Sequence, residues 1–274
     1  MIPAFAFLYG AVIGSFLNVC ILRLPADQSV VAPRSRCPRC GNGIAPYDNI
    51  PILSWLILRG RCRNCSEPIS PLYPIIEFIT GILFLLAAHW YGLSWEAGKL
   101  AVFSAILVVL VVTDWRERIL PDKVNFPGMA LGLGFALLVP VGDGAGALLA
   151  GLASLMPLPT PLLSVADALL GALAGGGLLY GIGELYYLLR RQEGMGFGDV
   201  KMMAMAGTFL GPQLTLFTIF FASILGALSG GLFMLASKKE AGYELPFGTF
   251  LGIAAWIAAL WGHRLLSWYF HLFQ

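Results

Sequence analysis

Gly196-Phe197-Gly198-Asp199-Val200-Lys201 sets a carboxylate and a lysine at the mouth of an apolar segment, Met202 to Leu210. A second acidic site, Thr113-Asp114-Trp115, closes another apolar run, Leu100 to Val112. An ionised side chain beside hydrocarbon costs about 2.5–3.5 kcal/mol on insertion scales, so each aspartate is a functional candidate. Two of them at one membrane face point to a single reaction centre.

Composition supports the membrane reading. Of 274 residues, 58% are hydrophobic and 12% charged, against about 25% charged in a soluble domain. The start, Met1 to Leu24, has no basic leader region and no Ala-x-Ala exit, so it reads as a retained first helix. A net charge of +2 makes no case for nucleic acid as a partner. Apolar runs long enough to span a bilayer fall near 1–23, 74–93, 97–113, 122–141, 162–189, 199–212, 213–236 and 246–269. The expected fold is therefore an all-α polytopic membrane protein of about eight transmembrane helices. The sixth run is short, and is either a half-helix or part of a broken hairpin with the seventh around Gly211-Pro212. The segment 142–161, with Asp143 its one charge, reads as re-entrant or interfacial. Gly177-x-x-x-Gly181 is a candidate helix-packing face.

Orientation follows from the basic residues. With the N-terminus outside, the inner segments 24–73, 114–123, 190–201 and 237–245, counted with Arg23, hold 15 of the 17 lysines and arginines. Lys99 and Arg264 are the two left outside. Both Asp114 and Asp199 then lie at the inner, cytoplasmic face.

One inner segment carries its own motif. Cys37-Pro38-Arg39-Cys40 and Cys62-Arg63-Asn64-Cys65 have the spacing of a four-cysteine zinc ribbon. A two-residue gap lets the backbone turn so that both thiolates face one ion, and two such turns complete a tetrahedron. An insert of this size has little core, and a metal supplies folding energy. Two disulfides are the competing reading, which a reducing cytoplasm disfavours. Cys20 is a buried free thiol of the first helix. Between the knuckles, Ile50 to Leu58 is either the ribbon's own small core or an amphipathic piece on the membrane, with Arg59, Arg61 and Arg63 facing anionic lipid.

Any one acidic residue at a helix start, Asp199 or Asp122 alike, has a bland reading as a cap. Gly196 and Gly198 set Asp199 apart, because they permit unusual backbone angles and close approach of another chain. Two carboxylates sharing a site can cut a peptide bond: one, ionised, takes a proton from water, and the other, protonated, polarises the carbonyl. The three histidines, His89, His263 and His271, fall away from the aspartates, against Ser-His and histidine-metal chemistry. Gly194-x-Gly196-x-Gly198 follows no strand, against a Rossmann loop. A transporter using Asp114, Asp167, Glu184 and Asp199 as an ion path is the alternative from another class, and it needs acids spread across the membrane.

These residues together resemble the bifunctional type IV prepilin peptidases, membrane aspartic proteases of the Gly-x-Gly-Asp type. The likeness runs through Gly14-Ser15-Phe16-Leu17-Asn18-Val19, Arg23-Leu24-Pro25, Asp48-Asn49-Ile50-Pro51, Leu53-Ser54-Trp55, Arg59-Gly60-Arg61-Cys62, Pro68-Ile69-Ser70, Tyr73-Pro74 and Glu77. It continues through Asp114, Leu120-Pro121-Asp122, and Gly196 to Lys201 with Gly207 and Gly211. It implies that Asp114 and Asp199 are catalytic, with Gly196, Gly198 and Lys201 in support. It implies cleavage of the basic leader of pilin-like precursors, for pili or type II secretion, at the inner membrane of a bacterium. It also implies N-methylation of the new N-terminus from S-adenosylmethionine. Glu77 then either orients the amine or serves as a cap or arginine partner. Three domains are expected: the first helix, 1–24; a zinc-binding, methyltransferase-associated insert, 25–73; and a peptidase bundle, 74–274, with lipid as the surrounding partner. Two departures stand out, Thr249 in Pro246-Phe247-Gly248-Thr249, where the family often has proline, and the stretch Asn125 to Gly128. Neither is expected to touch the catalytic atoms.

Overall fold

The computed structural model describes residues 1–142, 144–152, 159–192, 194–237 and 246–271. Asp143, Glu193, Lys238 and Lys239 lie outside the described residues, as do residues 153–158 of the 142–161 segment. The described chain is helical: α1 (Ile2–Arg23), α2 (Leu53–Ile57), α3 (Leu72–Tyr91), α4 (Trp95–Glu117), α5 (Asp122–Leu138), α6 (Ala145–Leu152), α7 (Thr160–Arg190), α8 (Phe197–Ser237) and α9 (Phe247–His271). Extended pairing among the described residues is confined to two isolated bridges, Arg36 with Gly43 and Arg61 with Pro68.

Six of the described helices are long and apolar enough to cross a membrane: α1, α3, α4, α7, α8 and α9. The count falls a little below the expected eight. Helix α5 has only 17 residues and carries Pro127 inside it. The sixth and seventh runs follow one another through α8 as two helices on either side of a break, where Gly211 takes φ 77° and ψ 172° ahead of Pro212. A left-handed φ of this kind suits glycine, and proline has no N–H to continue the ladder. The Thr215 hydroxyl donates to the Gly211 carbonyl beside the break.

The chain forms two compact units, Met1–Val109 and Leu110–Gln274. In the first, α1 lies along α3. Contact is close because a side chain at Gly14 would stand 2.7 Å from the Glu77 Cα, and one at Gly81 would strike Phe7. The residues after α1 are tied back to it, since Arg23 donates to the carbonyls of Ser29 (2.9 Å) and Pro33 (2.7 Å). Asn18 of α1 donates to the Tyr73 carbonyl at the start of α3 (3.1 Å).

In the second unit, α7 and α8 share the most extensive contact, and α9 and α5 also pack on α8. Backbone meets backbone there: side chains at Gly171 or Gly207 would collide with each other's main chain, and one at Gly175 with the Met203 carbonyl. The packing face is therefore Gly171-x-x-x-Gly175. The expected pair, Gly177 and Gly181, borders open space. The four-residue spacing was informative, but residues 171–181 offer it in two registers and only tertiary contact selects one.

Candidate active site and metal centre

The metal centre is built from two matching turns. Cys37 N–H donates to the Asn42 carbonyl and Gly41 N–H to the Cys37 carbonyl, both at 2.9 Å. Cys62 N–H to Glu67 and Ser66 N–H to Cys62 repeat the pattern at the same distances. Gly41 and Ser66 take the left-handed φ that each turn needs, 72° and 57°. The four sulfurs lie within 4.8 Å of one another, and those of Cys37 and Cys65 are 3.8 Å apart. A tetrahedron with Zn–S of about 2.3 Å has sulfur edges of about 3.8 Å, so the cluster fits one zinc. All five cysteines are free, which sets the disulfide reading aside.

The thiols are unequal. The Asn42 N–H, with the Asn64 side chain, brings Cys40 down to about 7. The N–H groups of Cys65 and Asn64 lower Cys62. At Cys65 the Glu67 N–H acts downward, yet burial and the neighbouring thiols push it up to about 12. Four thiolates in one cluster need a cation among them.

Around the cysteines, polar contacts replace a core. Arg63 grips Asp48 through Nε (2.8 Å) and a terminal nitrogen (2.6 Å), and lies over the Tyr47 ring. That guanidinium is spoken for, unlike the lipid-facing role expected of it. The Trp55 indole donates to the Ile69 carbonyl (3.1 Å), and Gly60, at φ 66°, leaves room for its ring. Leu53, Leu56 and Ile57 of α2 point outward, 56%, 57% and 73% exposed, so the apolar stretch is not the ribbon's core. Glu77 is buried and accepts the Ile52 N–H at 2.7 Å, where Ile52 takes φ 63°. Its carboxylate holds the insert's middle to α3, through a backbone N–H rather than an arginine.

The candidate active site assembles from four helix ends. Asp114 sits in the last turn of α4 and Asp199 in the first turn of α8. Both are buried, 5% and 8% exposed, and they stand within electrostatic reach of each other. The fold brings these two together across 85 residues of chain. The Asp114 Oδ2 accepts two hydrogen bonds from Thr249, the N–H at 2.6 Å and the hydroxyl at 2.8 Å. A side chain at Gly248 would stand 3.0 Å from the Asp114 Cγ and 3.0 Å from Leu120.

The supporting residues take roles other than those expected. Neither Gly196 nor Gly198 is left-handed. Gly198 admits this chain's own Leu120, which a side chain there would meet at 3.1 Å. A side chain at Gly196 would stand 3.8 Å from the Asp199 Oδ2, so glycine there keeps that oxygen open. Lys201 turns from the lipid to Asp122, reaching both carboxylate oxygens at 2.7 and 2.8 Å. Its ammonium also lies over the rings of Phe197 (5.1 Å) and Phe126 (5.7 Å). Asp122 is thus engaged at the start of α5, apart from the pair.

Thr249 was the site residue that sequence reasoning misplaced. The departure is one not expected to touch the catalytic atoms, yet both its donors reach a candidate catalytic oxygen. The available signal was its place at the third residue of an apolar helix, where backbone N–H groups have no intrahelical partner.

Comparison with known proteins agrees over the same ground. Residues 8–91 match the bacterial peptidase A24 N-terminal domain, and residues 101–231 match the type IV leader peptidase family. A prepilin leader peptidase/N-methyltransferase of Stutzerimonas stutzeri is 34% identical over 96% of this chain and 92% of its own length. Its namesake in Aeromonas hydrophila is 36% identical over the same shares. One from Myxococcus xanthus is 40% identical over 87% of this chain and 65% of its own. No solved structure matches the chain.

Proposed function

The chain belongs to the type IV leader peptidase family, and on that premise we propose that Asp114 and Asp199 are the carboxylate pair with which it works. It is a multi-pass membrane enzyme that cleaves the leader peptide from prepilins and N-methylates the new N-terminus. The observation that carries the site is burial of two carboxylates within reach of each other, from helix ends 85 residues apart in sequence.

Like charges so placed do not both ionise cheaply, so the working form holds one proton across the pair. The ionised carboxylate takes a proton from water, and the resulting hydroxide adds to the scissile carbonyl. The protonated carboxylate gives its proton to the carbonyl oxygen. Collapse of the tetrahedral intermediate breaks the C–N bond, and the amine departs with a proton from the pair. Gly196 leaves the Asp199 side open for an extended substrate. The transporter reading is not supported: the two strongest acids cluster, Asp167 caps a neighbouring helix by accepting the Gly146 N–H (2.6 Å), and the relatives are peptidases.

Cys37, Cys40, Cys62 and Cys65 would hold one structural zinc, which supplies folding energy to the insert. The insert, 25–73, serves the methyltransferase activity, and 74–274 forms the peptidase bundle. S-adenosylmethionine is the methyl donor. Glu77, held by Ile52, does not place a site for it. The outward apolar face of α2, flanked by exposed Arg59 and Arg61, suits the bilayer interface. The placement of basic residues supports a cytoplasmic location for the insert and both aspartates at the inner membrane. A cysteine at Glu117 should then be reached by impermeant thiol reagents only from the cytoplasmic side, and labelling from outside intact cells would invert the map.

The deciding experiment incubates the purified enzyme with a precursor pilin and S-adenosylmethionine and weighs the product. A mass lower by the leader and higher by one methyl group is expected. An unaltered precursor would refute the reading.

A further inference from the structure

Among the described residues, Thr249 is the hydrogen-bond partner of the Asp114 carboxylate, and it binds one oxygen. Thr249 is the third residue of α9, and its N–H has the Pro246 carbonyl as a weak local acceptor at 3.2 Å. The same N–H reaches the Asp114 Oδ2 at 2.6 Å, and the Thr249 hydroxyl reaches that oxygen at 2.8 Å. The hydroxyl also approaches the Val111 carbonyl, one turn before Asp114, at 3.4 Å. Gly248 next to it leaves no side chain that would displace the carboxylate. Thr249 itself is buried.

We propose that Thr249 is a positioning residue for peptide cleavage, which fixes Asp114 as the water-activating carboxylate by binding Oδ2 and leaving Oδ1 to accept the proton. A carboxylate oxygen has two lone pairs, and both on Oδ2 are taken by donors, so proton uptake falls to Oδ1. Two donors aimed at an acceptor favour its ionised form, and hydrogen bonds to a charged group are the strong ones. The start of α9 adds the positive end of a helix dipole. With Asp114 held as the ionised member, the shared proton of the pair falls to Asp199, which is buried as well. Among the described residues, Arg118, just past the end of α4, is the other charged group facing Asp114. This inference rests on the reading of Asp114 as catalytic.

The test compares Thr249→Val, Thr249→Ala and Thr249→Ser with Asp114→Asn, in full-length enzyme acting on a precursor pilin. Valine keeps the shape and the N–H but removes the hydroxyl. Loss of one charge-assisted bond should lower kcat about tenfold at constant KM and move the acid limb of the kcat–pH profile up by about one pH unit. The sign follows because Asp114 then ionises at higher pH. Serine, which keeps both donors, should restore kcat to within about threefold with the acid limb in place. Should valine fail to fold, alanine against serine makes the same comparison. A wild-type kcat and acid limb in Thr249→Val or Thr249→Ala, beside an inactive Asp114→Asn, would overturn the proposal and leave the active-site reading standing. Serine as poor as valine would overturn it too, since packing rather than the hydroxyl would then be responsible. Cleavage surviving in Asp114→Asn would instead remove the reading on which it rests.

Discussion

The cysteine insert and the aspartate pair are both polar sites, and they are secured in opposite ways. The insert keeps its groups near the surface and short in sequence reach: each knuckle closes over a handful of residues, and Cys65 is exposed. Its one strong side-chain pair, Asp48 with Arg63, spans 15 residues. The two aspartates of the pair are buried, and Asp114 is joined to Thr249 across 135 residues, while the exposed Asp122 nearby reaches Lys201 across 79. A local site with little core depends on a metal for stability, whereas a site of helix ends depends on the whole bundle's packing. The first should therefore fail by unfolding when its ligand is lost. The second should stay folded when its chemistry is removed.

The sharpest way to break this contrast lies in the pair. Asp114→Asn and Asp199→Asn should each lower cleavage by about 10³-fold or more while the protein remains folded and membrane-inserted. The double variant should be little worse, because the two groups act as one. Wild-type cleavage should also fall at both acid and alkaline pH, since one proton too many or too few disables the pair. Product mass against time reports all of these, and substantial turnover by either single variant would end the aspartic mechanism.

Next in size is the metal. One zinc per chain is expected by metal analysis of protein kept reduced. Cys37→Ser or Cys62→Ser should lose it, given that structural zinc contributes about 10–16 kcal/mol of binding energy in finger peptides. Methylation should then drop by more than about tenfold, while cleavage holds within a few-fold. Equal loss of both activities would show that the insert and the peptidase site are not independent.

A smaller effect tests the clamp between the two aspartate-bearing segments. Lys201→Met should reduce cleavage about fivefold, the size of one partly exposed ion pair with ring contacts. Asp122→Asn should do no more than this, and the charge swap of both residues should recover part of the loss. A null result from Lys201→Met would reduce the pair to a surface contact.

The smallest effect belongs to the insert. Arg63 beside Asp48 holds that carboxyl below its ordinary value. A lowered folded value means a contribution present above about pH 4 and lost as pH falls through the folded value. Hydrogen exchange across residues 46–65 should therefore quicken at acid pH in the wild type, and Asp48→Asn should remove that step.

The sequence by itself determined the membrane class, the zinc-binding spacing and the positions of both candidate aspartates at apolar boundaries. Each of these is a local property: hydropathy along one helix, two turns of fixed length, or a charge at an apolar boundary. It did not decide which glycines of α7 meet α8, since Gly171-x-x-x-Gly175 and Gly177-x-x-x-Gly181 have equal spacing and differ in what faces them. Nor did it show that Lys201 turns to Asp122, that Glu77 holds Ile52, or that Arg63 belongs to Asp48. A long side chain has several partners within reach of its helix position, and only the packed neighbours choose among them. Thr249 is the clearest instance. Its N–H and hydroxyl were visible as chemical groups, but their target came within hydrogen-bonding distance only when α9 packed its first turn against the last turn of α4.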